Sequence, residues 1–251
     1  MLSFPYLWDE GSLPEPIEIV TWADGTDAQI AAMVAAADNG DITLTDYWSV
    51  GDERTVHLGA IPANSNGAFT TAMDEQDVVM VIMNVGYMNQ EGIHFVVGQK
   101  DCLNQRGRMN TGNFNRGSWN ACRMRTCLNQ TTSGGYYYAI PDDLKPIFKE
   151  FTVTTSQSYT GSELQLLTAV DKFALFAEKE VFGDCEQSIS LEDILTQIQY
   201  YTTSSNIIKN MYWWERSPKR MGSTSSFCYV TNKSSYYGAN YLQGISPFGC
   251  I

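Results

Sequence analysis

Histidine is almost missing from this chain: His57 and His94 are the two in 251 residues. Neither sits at metal-ligand spacing from a second histidine or a cysteine, and His94 is flanked by Ile93 and Phe95 in a strand-like run. A Ser-His-Asp or Cys-His system would have to draw on one of them, yet no nucleophile elbow surrounds either. Both are expected to be structural. No G-x-x-x-x-G-K-[ST], G-x-G-x-x-G, H-E-x-x-H or EF-hand loop occurs. The expectation is a protein that is not an enzyme, with no metal and no cofactor. Long apolar runs are missing as well, since none approaches the ~18 residues that span a bilayer. The start, Met1–Glu10, has no basic region followed by a long apolar one, so no signal peptide is expected. Synthesis in the cytoplasm, followed by assembly into a virion or display at a surface, is the expected route.

Cysteine is sparse. Six (Cys102, Cys122, Cys127, Cys185, Cys228 and Cys250) are too few for a disulfide scaffold in a chain of this length. They read as buried thiols that behave as small hydrophobes. Cys122 and Cys127 form a C-x4-C pair, but on one continuous helix the two thiols would point about 140° apart and share no site. Cys228 and Cys250 lie in strand-like segments, and no bond is expected between them.

Positive charge is scarce over most of the length. Residues 1–200 carry 11 Lys+Arg against 27 Asp+Glu, whereas residues 201–251 carry five cations against Glu215 alone. An acidic body repels nucleic acid and anionic membrane, so neither is expected as a partner. The reversal marks the last fifty residues as a segment with a different task.

What is present is a core. A hydrophobic fraction of 43% with 12% aromatics excludes disorder. Residues 1–40 read as an N-terminal extension with a short helix over Gln29–Ala37, capped by Asp24 or Thr26, whose stripe is Ile30, Met33, Val34 and Ala37. Residues 41–251 read as one ligand-binding domain. Strands are expected within Trp48–Ala60, at Asp77–Asn84 with both faces covered, at His94–Val97 and at Phe151–Thr155. Ser118 offers the N-cap of a helix running through Leu128. Pro141-Asp-Asp opens another, with its acids in the first turn. Ser190–Tyr200 reads as a third, with Ile194, Leu195 and Ile198 on one face, and Glu192-Asp193 likewise in a first turn. From Tyr212 onward only short strands are expected. The fold class is α+β with antiparallel strands and flanking helices.

Segment 219–243 stands apart: Ser, Thr, Asn and Tyr make up 13 of its 25 residues and no acid occurs. Tyrosine supplies stiff contact area, and Ser, Asn and Gly supply adaptable hydrogen bonding, which is the composition of antibody contact loops. Ordinary solvated hairpins have the same composition.

Several phrases carry a family resemblance: Asp46-Tyr-Trp-Ser-Val-Gly-Asp-Glu-Arg-Thr-Val-His-Leu58, Gly117-Ser-Trp-Asn-Ala-Cys122, Phe173-Ala-Leu-Phe-Ala-Glu-Lys-Glu-Val-Phe-Gly183, Tyr212-Trp-Trp-Glu-Arg-Ser-Pro218 and Gly244-Ile-Ser-Pro-Phe-Gly-Cys-Ile251. Together they resemble the C-type-lectin-fold variable proteins of diversity-generating retroelements, found in gut bacteria and their phages. The resemblance implies a C-type-lectin-like fold, similar to that of formylglycine-generating enzymes, with a variable-type surface at about 204–245. It implies a receptor-binding role, such as a phage tail or virion adhesin, whose partner is a protein or glycan on a host cell. Other virion subunits are further possible partners. The calcium triplets of sugar-binding lectins are missing, with Trp119-Asn120 followed by Ala121. The C-terminal cysteine pair of the formylglycine-generating enzymes is missing too. A structural particle component and such an oxidoreductase are the competing classes.

Trp213, Trp214, Phe227, Val230, Ile245 and Phe248 then read as core anchors, and Arg216 as a partner of buried carbonyls or of Glu178 or Glu180. The expected ligand-contacting patch comprises Tyr212, Lys219, Arg220, Ser223, Ser225, Tyr229, Thr231, Lys233, Ser235, Tyr236, Tyr237, Asn240 and Tyr241.

Overall fold

The unbroken apolar run Val78–Met83 forms the middle of β2 (Gln76–Tyr87), which pairs on both edges, with β1 (Glu53–Leu58) and β3 (Gln90–Val97). A strand so placed buries both faces, which is why its sequence does not alternate. β1 does alternate, burying Arg54, Val56 and Leu58. The computed structural model describes residues 17–64, 67–87, 90–98, 101–104, 106–157, 165–219 and 224–251.

The remaining strands are β4 (Phe151–Ser156), β5 (Leu166–Asp171), β6 (Phe173–Ala174), β7 (Trp213–Pro218), β8 (Ser226–Val230), β9 (Ser234–Gly238) and β10 (Phe248–Cys250). They form a five-stranded sheet in the order β1-β2-β3-β10-β6, a β4-β5 hairpin and a β7-β8-β9 meander. Every pairing within these sheets is antiparallel. Among the described residues five helices of at most 12 residues lie beside them, and the protein is of mixed α+β class. No helix among the described residues is long and apolar enough to cross a membrane.

β10 is central although it comes last. Gly249 pairs with Phe95 on one side and Phe173 on the other. A Cβ there would stand 2.9 Å from both rings and 3.0 Å from the Lys172 carbonyl oxygen. Only glycine fits that close an approach.

The first helix, α1 (Asp27–Asp38), is capped by Thr26 through a full capping box with Gln29. Its buried stripe is Ile30, Met33, Val34 and Ala36; Ala37, expected there, is only half-buried. Trp22 lies in the same core as β2 and donates from Nε1 to the Met80 carbonyl at 3.2 Å. Arg54 reaches the Trp22 and Gly25 carbonyls and Asp27, clamping the helix start to β1.

Three expected helices are altered. The one from Ser118 to Leu128 is two pieces, α2 (Ser118–Ala121) and α3 (Arg123–Asn129), broken where Cys122 turns extended. Gly117, at φ 78°, is its cap residue, and Cys122 Sγ accepts from the Arg125 amide at 3.4 Å. The continuous-helix geometry assumed for Cys122 and Cys127 therefore does not apply. Both thiols are buried; Cys127 Sγ accepts from the Ala68 amide at 3.1 Å. Pro141-Asp-Asp begins only a turn and a 3-10 segment, Lys145–Ile147, because Pro146 interrupts the amide ladder; the helix is α4 (Tyr136–Ala139), just upstream. Ser190–Tyr200 contains a 3-10 turn over Ser190–Ile194 and the start of another over Gln199–Thr202. Ile194 is exposed there, while Leu195 and Ile198 are buried.

His94 is structural but not hydrogen-bonded. It is fully buried between Tyr87 and Phe151, at ring distances of 5.3 and 5.4 Å, and neither nitrogen has a partner among the described residues. Burial lowers its pKa from 6.5 to about 4. The folded chain therefore holds His94 neutral where the unfolded chain protonates it, so stability present above 6.5 is lost as pH falls towards about 4. Denaturant unfolding at both ends of this window should show wild type losing on the order of 3 kcal/mol more than His94→Phe. Equal losses would contradict this account.

Candidate functional site

All six residues of Trp213–Pro218 are buried and compete for space: two indoles, a carboxylate, a guanidinium, a hydroxyl and a proline ring. Both indoles are held from other parts of the chain. Trp213 Nε1 donates to the Ile207 carbonyl at 3.3 Å, and Trp214 Nε1 to that of Gly107 at 2.8 Å. The register between β7 and β8 slips between Trp214 and Pro218, so the strand is bulged where Glu215 and Arg216 sit. Bulges re-aim side chains in this way.

Arg216 is the buried centre. Nη1 and Nη2 make a bidentate pair with Glu180 of α5 (Glu178–Phe182) at 2.7 and 2.6 Å. Nε and Nη2 donate to the Thr154 carbonyl, Nη1 to that of Leu175 at 2.7 Å, and Nη2 to Tyr87 Oη at 3.0 Å. Tyr87 in turn donates to Glu180. All three nitrogens are thus used inside the protein, as a buried guanidinium requires. Burial drives the Tyr87 hydroxyl pKa well above 10, so it remains a donor.

Three further carboxylates are fully buried beside this pair. Glu178 accepts from the Gln187 and Ser188 amides. Glu192 accepts from Thr155, the Ser156 amide and hydroxyl, and Ser217. Burial holds Glu192 above the usual carboxylate range. It does lie in a first turn, that of the 3-10 segment Ser190–Ile194, but with its side chain buried. Neither oxygen of Glu215 has a hydrogen-bond partner among the described residues. Burial first, then repulsion from Glu178, Glu192 and Glu180, raises its pKa well above 4.5.

The expected patch divides. Within the meander, Trp214 pairs with Tyr229, Tyr229 with Ser235, and Phe227 with Tyr237, so these residues share one face. There Tyr212, Tyr229, Tyr237 and Tyr241 form a row with successive ring separations of 5.9, 6.0 and 4.2 Å. The Trp214 ring backs the row, 6.2 Å from Tyr229. Tyr212, Tyr237 and Tyr241 are exposed, Tyr229 and Ser235 half-buried, and Asn240 is exposed in the turn beyond β9.

Tyr236 pairs with Cys228 on the opposite face, and Lys219 Nζ lies 3.3 Å from its ring centroid. Thr231 and Lys233 occupy the hairpin turn, where Thr231 Oγ1 donates to the Lys233 carbonyl at 2.8 Å. They do not continue the strand alternation. Ser225 stands at the far end, its carbonyl accepting from Ala239. Arg220 and Ser223 lie outside the described residues. Cys228 and Cys250 belong to different sheets, and no disulfide joins any of the described cysteines.

Two residues that composition did not single out fix the loop around this face. Asn115 is buried, its amide donating to Thr224 and its Nδ2 to Ser226 at 2.8 Å. Asn110 is buried too; its amide donates to Ala239, its Nδ2 to Phe114, and its Oδ1 accepts from Arg123. Segment 107–115 is thereby tied to both ends of the meander.

Among the described residues no group of three or more His, Cys, Asp or Glu is placed to hold a metal ion. Residues 93–251, more than half of the chain, match a family described as a domain of unknown function (DUF6273), and the chain belongs to that family. No curated protein matches the chain, and no solved structure does.

Removing either partner of the Arg216–Glu180 pair strands the other charge in the interior. Arg216→Met and Glu180→Gln should each lower unfolding free energy by about 3–5 kcal/mol. The double variant should cost less than the sum. Additive losses in a urea double-mutant cycle would show that the pair is not coupled.

Proposed function

We propose that this protein binds a ligand through the tyrosine face of the β7-β8-β9 meander and does so as an adhesin, such as a phage tail or virion protein that contacts a host-cell surface. The observation that carries this reading is the continuous row Tyr212, Tyr229, Tyr237 and Tyr241, largely exposed yet backed by a buried indole. Aromatic side chains held stiffly at a surface lose little entropy on binding and dominate interface energetics. Ser235 shares the face of the row, and the exposed Asn240 precedes Tyr241 in the turn.

A division between constant core and exchangeable surface supports a C-type-lectin-type scaffold of the variable kind. Trp213, Trp214, Phe227, Cys228 and Val230 are fully buried, whereas Tyr212 before β7, Tyr229 within β8 and Thr231–Lys233 after it reach solvent. Substitution at the exposed positions would leave the core packing untouched. The ligand on this reading is a protein or glycan of the host surface, and the reaction chemistry of an oxidoreductase has no part in it.

The test is a triple variant, Tyr212→Ser, Tyr237→Ser and Tyr241→Ser, compared with wild type for melting temperature and for binding to whole bacterial cells and to arrays of surface glycans. Because all three are exposed, each should change stability by no more than about 0.5 kcal/mol. Binding should fall at least about tenfold, a loss of roughly 1.4 kcal/mol. Unchanged melting with unchanged binding would place recognition elsewhere.

A further inference from the structure

Glu215 has no role in the recognition described above, yet it occupies the strand that carries it. Its side chain is fully buried, and neither oxygen finds a donor among the described residues. The charged and titratable groups around it are Glu178 and Glu180 from α5, Glu192 from the following turn, Tyr201, Cys228 from β8, and Arg216 beside it on β7. Arg216 is already committed to Glu180, Tyr87 and two carbonyls. Four buried carboxylates therefore share one buried guanidinium. Glu178 and Glu192 have amide or hydroxyl donors of their own, and Glu215 has none. A buried charge without partners is far costlier than a buried neutral acid.

We propose that Glu215 is a proton-dependent latch: as the neutral acid it lets β7 and β8 close over α5, and on losing its proton to solvent base it loosens the meander from the helix. The device acts on the sheet itself and operates whether or not the tyrosine face binds a ligand. The direction follows from the burial. An unfolded chain releases this proton near 4.5 while the folded chain keeps it, so the stability it confers is full below that value and declines as pH rises. Loosening should be local, since no strand of the meander belongs to the five-stranded sheet, whose β1-β2-β3 ladder is hydrogen-bonded within itself. Lys209, near Trp213, works with the opposite sign. Its burial lowers its pKa to about 8, so raising the pH beyond that removes an unfavourable charge and cannot mimic the latch.

The test is amide hydrogen exchange by mass spectrometry on the intact protein at about pH 6 and about pH 9, corrected for the intrinsic rate, in wild type and Glu215→Gln. Protection in Phe227–Val230 and Ser234–Gly238 should drop at least about tenfold in wild type and remain in the variant, with β2 and β3 unchanged in both. An equal drop in both proteins, or none in wild type, overturns the latch. Glutamine copies the neutral acid, so a variant that fails to fold overturns it as well. An independent reading comes from infrared spectra of wild type at about pH 6: lack of a buried protonated-carboxyl band would mean that Glu215 is already ionised, and the proposal falls.

Discussion

The guanidinium of Arg216 is the point through which the three sheets are tied. It belongs to the meander, and its partners come from the hairpin (Thr154), the five-stranded sheet (Tyr87) and the helix and connector that follow β6 (Glu180, Leu175). A buried ion pair of this kind contributes little net stability against a hydrophobic replacement, because desolvation offsets attraction. What it contributes is selectivity. All three nitrogens are directed at acceptors fixed in the fold, so another register of β7 would strand a full charge in the interior. The bulge at Glu215 and Arg216 is part of the same constraint, because it directs the guanidinium to α5 and leaves the neighbouring carboxylate facing like charges.

Local pattern made some of this legible from the sequence. A cap at Asp24 or Thr26 and a helical stripe located α1, a continuous apolar run located β2, and Arg216 stood out as a partner of buried carbonyls or of Glu178 or Glu180. The failures share a cause. Glu192 reads in sequence as a first-turn acid, but its acceptor atoms are filled by Thr155 and Ser156, more than 35 residues away. Asn115 reaches Ser226 across 111 residues. Periodicity over three or four positions cannot register such partners, and a helix whose polar residues are drawn inward breaks into 3-10 turns. Glu215 carried no such signal: only the burial of every residue of Trp213–Pro218 leaves its carboxylate without a solvated side to turn to.

The surface was legible in composition and not in geometry. Tyr236 and Tyr237 are neighbours in sequence, and the period of two sends them to opposite faces. One joins the aromatic row and the other lies beneath Lys219. The family match begins at residue 93, yet β2 lies before it, pairs with β3 and lends Tyr87 to Arg216. The shared segment thus draws a sheet neighbour and a core hydrogen bond from residues outside it.

The position of β10 has a consequence for biosynthesis. Its three residues separate β3 from β6, and the Ile251 amide and carbonyl both bond to Ile93. A ribosome delivers this strand more than 150 residues after β3 and more than 70 after β6. Until then the two edges that should flank it stand open, with their ladder groups unpaired. Loop closure over such separations is slow, and the nascent chain must carry an incomplete sheet while the residues between β3 and β10 are made. Residues already emerged can make the hairpin and the β1-β2-β3 ladder early, whereas closure of the main sheet waits for the residues around Gly249.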